Sequence, residues 1–72
     1  MVLQESGEMY LETIYVLSQK SNAVRGIDIG EQLGFSKPSV SRALGLLKDE
    51  GLVIKDDDGF VKLTEKGLAK AQ

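Results

Sequence analysis

Three residues, Gly34-Phe35-Ser36, separate two segments that each place apolar residues at helical spacing. Before them Ile29 and Leu33 lie four apart. After them Val40, Leu44 and Leu47 repeat at intervals of four and three, the buried stripe of a helix. A connection this short makes the two helices cross, and a turn of three or four residues containing Gly is the usual way to build such a corner. Gly34 stands where a left-handed residue ends a helix, and Phe35 then points inward. Ser36 caps the next helix, with Pro38 in its first turn. The two helices are expected over 26–33 and from 37 to about 50, with Gly51 stopping the second.

The flanking segments complete one domain. Tyr10, Ile14 and Leu17, with Leu11 and Tyr15, predict a first helix that starts at Glu8 and ends in the polar "QKSN" of 19–22. Residues 1–7 carry no periodicity and read as a flexible arm, with Ser6 and Gly7 as cap candidates. "AVR" at 23–25 is long enough only to pair as an edge strand. Past Gly51, "LVIK" at 52–55 and "FVKL" at 60–63 flank "DDDG", the pattern of a hairpin. Thr64 and Glu65 open a last helix. The expected fold over 8–72 is mainly α with a small β-hairpin: a winged helix-turn-helix, with a three-helix core, a wing and the start of a fourth helix.

At 72 residues the chain is one small domain whose core is marginal unless well packed. It has no Cys and no His, which excludes a disulfide framework and an ordinary zinc site. No hydroxyl has an identifiable base and there is no Gly-rich phosphate loop, so an enzyme is rejected, and with it a small-molecule substrate. No apolar run approaches the roughly 18 residues of a membrane span, and no leader opens the chain, so a cytoplasmic protein away from membranes is expected.

A net charge of -2 argues against nucleic acid, because phosphate binding is largely electrostatic. The distribution weakens that objection. Residues 1–36 hold Glu5, Glu8, Glu12, Asp28 and Glu31 against Lys20 and Arg25, a net -3, whereas 37–48 hold Lys37, Arg42 and Lys48 with no acid. With Val40, Leu44 and Leu47 turned to the core, Lys37, Ser39, Ser41 and Arg42 fall outward or on the flanks, where they can meet phosphates and base edges. The first N–H groups of the second and third helices, at Gly26, Ile27 and Ser36, are further phosphate donors, and Pro38 stiffens that entrance while giving up one. The expected function is sequence-specific binding of double-stranded DNA, with the helix over 37–50 in the major groove. Two plainer readings stand beside it. Ser and Pro at a helix start are ordinary capping chemistry, and the same fold can serve as a protein-interaction module without DNA affinity. For that second reading Leu46 is the outward apolar spot, and Gly45 is tolerated because another backbone approaches it. Asp56, Asp57 and Asp58 are turn formers first, which keeps the wing tip away from phosphates, although Lys55 and Lys62 on its arms can reach them. A carboxylate cluster for a divalent cation is the weaker alternative.

The segment "GEMYLETIYVL" at 7–17, followed by "IGEQLGFSKPSVSRALGLLKDEGLV" and "VKLTEKG", resembles the diphtheria toxin repressor family of iron- and manganese-dependent repressors. The likeness covers nearly all of residues 8–71. It implies a metal-activated, homodimeric transcriptional repressor whose N-terminal domain binds a palindromic operator. The family's operator-reading helix maps onto Ser36, Pro38, Ser39, Ser41 and Arg42. Its regulatory Fe2+ or Mn2+ takes ligands from the first helix at positions matching Met9 and Glu12, three apart on one face. The remaining ligands and the dimerisation helices lie beyond the winged domain, so the resemblance implies only a partial metal site here. Packing for Met9 and solvation for Glu12 are the readings from the residues alone.

Overall fold

Apolar stripes from three helices converge on one core in the computed structural model, which describes residues 7–71. Helix α1 spans Gly7–Lys20, α2 Gly26–Leu33 and α3 Lys37–Asp49; strands β1 (Val53–Lys55) and β2 (Val61–Leu63) and helix α4 (Glu65–Ala71) follow. Tyr10, Leu11 and Ile14 from α1, Ile29 from α2, and Val40 and Leu47 from α3 are buried together with Val24, Leu52, Val53 and Val61. Burying each such side chain contributes about 1.5–3 kcal/mol. A helix as short as the eight residues of α2 has little stability of its own, so this core is what holds it. The architecture is the expected one, mainly α with a two-stranded antiparallel hairpin in winged-helix order.

Two expectations at the edges of elements change. The arm read over 1–7 lies outside the described residues for 1–6, and Gly7 is the first residue of α1. Apolar periodicity could not reveal this, because a residue without a side chain adds nothing to the stripe. The edge strand looked for at 23–25 is not a strand. Val24 is buried, and its carbonyl accepts a single hydrogen bond, 2.7 Å, from the Val61 N–H.

The α2–α3 corner forms as its sequence requires. Gly34 has φ 75° and ψ 27°, a conformation that costs other residues roughly 1–2 kcal/mol. Its N–H and that of Phe35 both donate to the Gly30 carbonyl, at 2.7 and 3.0 Å. Phe35 is half-buried against Tyr10, ring centroids 5.9 Å apart. Ser36, extended at φ -71° and ψ 156°, caps α3: its hydroxyl accepts from the Ser39 N–H at 3.4 Å and donates to the Ser39 hydroxyl at 3.1 Å.

The hairpin pairs Val53 with Leu63, Ile54 with Lys62 and Lys55 with Val61. Its base carries α4. The Thr64 hydroxyl donates to the Gly51 carbonyl at 2.6 Å and accepts from the Gly67 N–H at 3.0 Å, which caps α4 and ties it to the end of α3. Lys66 Nζ adds a bond to the Glu50 carbonyl at 3.2 Å. Gly67 is buried so tightly on Leu52 that a Cβ there would overlap the Leu52 carbonyl. Gly45 of α3 is the opposite case. Among the described residues nothing lies within 4 Å of the place its Cβ would occupy, so no described backbone approaches it.

These two glycines generate opposite expectations in urea unfolding. Gly45→Ala should stabilise the domain by about 1 kcal/mol, the helix-propensity difference. Gly67→Ala should destabilise it by about 1–3 kcal/mol or more, the penalty of forcing a group into packed backbone.

Candidate nucleic-acid interface

Because Val40 and Leu47 are buried and Leu44 half-buried, α3 turns the rest of its circumference outward. Lys37, Pro38, Ser41 and Arg42 are exposed and Ser39 is half-buried, so the residues singled out on this helix do reach the surface. Ser36 and Ser39 are bonded to each other in the cap, which commits the Ser36 hydroxyl to the helix start. The backbone donors at the two helix starts are unequal. In α3 the Ser39 N–H is taken by Ser36 Oγ, the Val40 N–H by the Ser36 carbonyl, and Pro38 has none, which leaves that of Lys37. In α2, Gly26 and Ile27 precede any carbonyl four residues back within the helix, so both N–H groups face outward from its first turn. Gly26 is half-buried and Ile27 is 66% exposed.

Between α2, α3 and the hairpin lies an open groove of about 650 Å³. Lys37, Ser41, Gly45 and Lys48 line it from one face of α3, Gly26 and Ile27 from α2, and Ile54 and Lys55 from β1. Ser36, Pro38, Ser39 and Arg42 lie outside it; Arg42 follows Ser41 by about 100° around the helix and occupies the neighbouring face. Four of the nine cations of the chain, Arg25, Lys37, Lys48 and Lys55, line the groove, against Glu31 and Asp58 among the acids of the described residues. The ion pair among the described residues is Lys62 with Asp56, 3.6 Å, so none of those four cations nor Arg42 is neutralised by a carboxylate partner. An acidic chain thus presents a basic groove beside an exposed helix. Arg25 and Lys48 were visible in the sequence only as charges. Lys48 is eleven residues from Lys37 and seven from Ser41, a helical spacing that marks a shared face. Arg25 reaches the groove by tertiary packing, for which the sequence carries no local signal.

The wing acids divide. Asp56 accepts from the Asp58 N–H at 3.0 Å and the Phe60 N–H at 2.9 Å, closing the turn, while Asp57 and Asp58 are exposed. The Phe60 N–H holds the Asp56 carboxyl below its ordinary range; partial burial opposes this, and the Asp58 N–H and Lys62 add to it. Lys62 is thereby engaged with Asp56, and Lys55 is the wing lysine that turns to the groove.

Met9 is half-buried and Glu12 exposed on α1. No group of three or more His, Cys, Asp or Glu side chains able to hold a metal ion occurs among the described residues. A thioether and one carboxylate do not fit a metal centre by themselves, since first-row divalent ions bind through larger donor sets.

Comparison with known proteins places the chain in a family. Residues 2–61 match the family described as "Iron dependent repressor, N-terminal DNA binding domain". The chain is similar to the iron-dependent repressor IdeR of Mycobacterium tuberculosis, 38% identical over 69 residues that cover 96% of this chain and 30% of that protein. It is also similar to the diphtheria toxin repressors of Corynebacterium efficiens and Corynebacterium diphtheriae, 35% and 34% identical over the same shares. The chain therefore spans about a third of the length of these relatives.

The turn chemistry of the wing predicts a pH response. A carboxyl titrating below its unfolded value contributes fully above the ordinary aspartate range, and the contribution is lost as pH falls from that range through the lowered value. In an acid titration followed by NMR, the Asp58 and Phe60 amide signals should shift together in that window and not above it. Asp56→Ala should abolish the coupled shift and speed hydrogen exchange at the Phe60 amide.

Proposed function

The chain belongs to the iron-dependent repressor family, matched over its N-terminal DNA-binding domain, and from that premise we propose that α3 enters the major groove of a specific double-stranded DNA site. The observation that carries the proposal is the unpaired basic groove flanking an exposed α3 in a chain that is acidic overall. Charge elsewhere matters less than it seems from the sum. The described domain measures 33 × 22 × 22 Å, whereas the Debye length at physiological salt is about 8 Å, so acids on remote faces are screened from the DNA.

In this reading Lys37 and the N–H groups of Gly26 and Ile27 grip phosphates and set the register. Ser36 and Pro38 hold the entrance of α3 rigid. Ser39, Ser41 and Arg42 meet base edges, Arg42 through a bidentate contact to guanine worth about 1–3 kcal/mol of discrimination. Asp57 and Asp58, exposed at the wing tip, repel phosphate, so the strand follows the cations of the groove and not its Asp58 end. A single module of this kind buries about 600–1,000 Å² on DNA and binds modestly. A homodimer on a palindromic operator supplies the rest, two α3 helices meeting half-sites one helical turn apart.

The relatives are iron-dependent and toxin repressors by name, and the whole protein is proposed to be a repressor under Fe2+ or Mn2+ control. Met9 and Glu12 would give that ion at most two donors, and the others come from outside the residues described. A DNA-binding role of this kind is not an enzymatic one. No described helix is long and apolar enough to cross a membrane, and a regulator that reads the genome acts in the cytoplasm.

Selection of duplexes from a random pool, followed by titration at several salt concentrations, tests the proposal. If Lys37, Lys48 and Lys55 each neutralise a phosphate, these three alone should make log K fall with log salt with a slope of roughly -3. Arg42→Ala should flatten the preference at one base pair, whereas Lys37→Ala should weaken selected and unselected duplexes alike and lower the slope by about 1. Failure to bind any duplex at low salt, even when the chain is joined to a dimerising partner, would overturn the reading.

A further inference from the structure

Arg25 is the groove cation to which the DNA reading above gives no task. It occupies the position just before α2, and its backbone is fixed on both sides. The Arg25 N–H donates to Asp28 Oδ2 at 2.9 Å, and its carbonyl accepts from the Asp28 and Ile29 N–H groups at 3.0 and 3.2 Å. The neighbouring Val24 carbonyl is bonded to the Val61 N–H of the hairpin. The side chain is exposed, and its guanidinium lies over the Phe60 ring, 4.8 Å from the centroid. Phe60 is itself anchored, its N–H on Asp56 Oδ1 at 2.9 Å and its carbonyl accepting from the Asp56 N–H at 3.0 Å.

A surface arginine ordinarily loses rotamer freedom when it binds. Here the ring has already restricted the side chain, and no carboxylate pairs with it among the described residues. A guanidinium covered on one face by an aromatic ring keeps the edge N–H groups that recognise phosphate oxygens. Lys37 and Lys48 line the groove from α3, and Arg25, stacked on Phe60 of the hairpin, lines it as well. The nearby acids set the need for it: Asp28 stands in the first turn of α2, and Glu31 and Asp58 line the same groove.

We infer that Arg25 is a phosphate-binding residue of the DNA interface and that Phe60 of the hairpin is its positioning residue; this inference rests on the DNA reading. A strand passing along the groove is then gripped by the α3 lysines and by a preset arginine. Base preference does not change, because a phosphate oxygen is the same at every step of the sequence.

Fluorescence anisotropy of the 72-residue chain with a labelled random-sequence duplex, over a salt series, tests this, with circular dichroism to establish that each variant is folded. Arg25→Gln should weaken binding roughly threefold to tenfold and make the salt slope shallower by about 1. Phe60→Leu should weaken it in the same direction by less, and Phe60→Tyr, which keeps the ring, should bind as the parent chain does. In the Arg25→Gln background Phe60→Leu should cost nothing further, the mark of two residues acting through one another. If Arg25→Gln keeps the parent affinity and slope, the inference is overturned while the DNA reading stands. An undiminished Phe60→Leu loss in the Arg25→Gln background overturns the positioning role. A parent chain that binds no duplex at low salt, even when joined to a dimerising partner, removes the DNA reading itself, and this inference with it.

Discussion

One carbonyl oxygen, that of Gly30, receives the N–H groups of both Gly34 and Phe35 and so fixes the angle at which α3 leaves α2. Everything exposed on α3 takes its direction from that corner. Gly34 supplies the left-handed turn, Phe35 anchors it on Tyr10 of α1, and Ser36 restarts the helix with its own hydroxyl. The three effects are individually modest, about 1 kcal/mol for a cap and a similar amount for the glycine. They act on successive residues, however, and leave the chain no other local path. With the corner set, burial of Val40 and Leu47 determines which side of α3 is left for solvent, and that side carries Lys37, Ser41 and Arg42.

Features fixed by neighbours in the chain were legible in the sequence. The corner, the span of α2, the stripe of α3 and the Asp-rich turn each follow from spacing and turn chemistry within a few residues, and each is found where the residues place it. The strands begin one residue later than the apolar runs, since Leu52 and Phe60 serve as the approaches to the ladder. What was not legible depends on contacts distant in sequence. Arg25 meets Phe60 across 35 positions, and the Val24 to Val61 bond spans 37, so no periodicity could announce either. The groove, as a space between three elements, has no sequence signature at all. Met9 and Glu12 illustrate the same limit: their spacing on α1 is readable, but a metal centre is defined by donors brought from elsewhere.

The acidic balance of the chain has a structural account. Asp56 closes the hairpin through two backbone N–H groups, and Asp28 reaches back to the Arg25 N–H at the start of α2. Both carboxylates answer backbone donors that would otherwise lack partners, a use in which a negative charge is favourable whatever the protein binds. Their charge counts in the total but says nothing about the face that meets a ligand. The cations behave differently: in the groove they are left without carboxylate partners among the described residues.

The join between α3 and α4 has a mechanical meaning. The Thr64 hydroxyl and Lys66 Nζ bond the carbonyls of Gly51 and Glu50 just past α3, the Thr64 N–H bonds that of Leu52, and Gly67 packs so closely on Leu52 that no methyl group fits between. A displacement of α4 would act first on residues 50–52, the link by which α3 hands the chain to the hairpin.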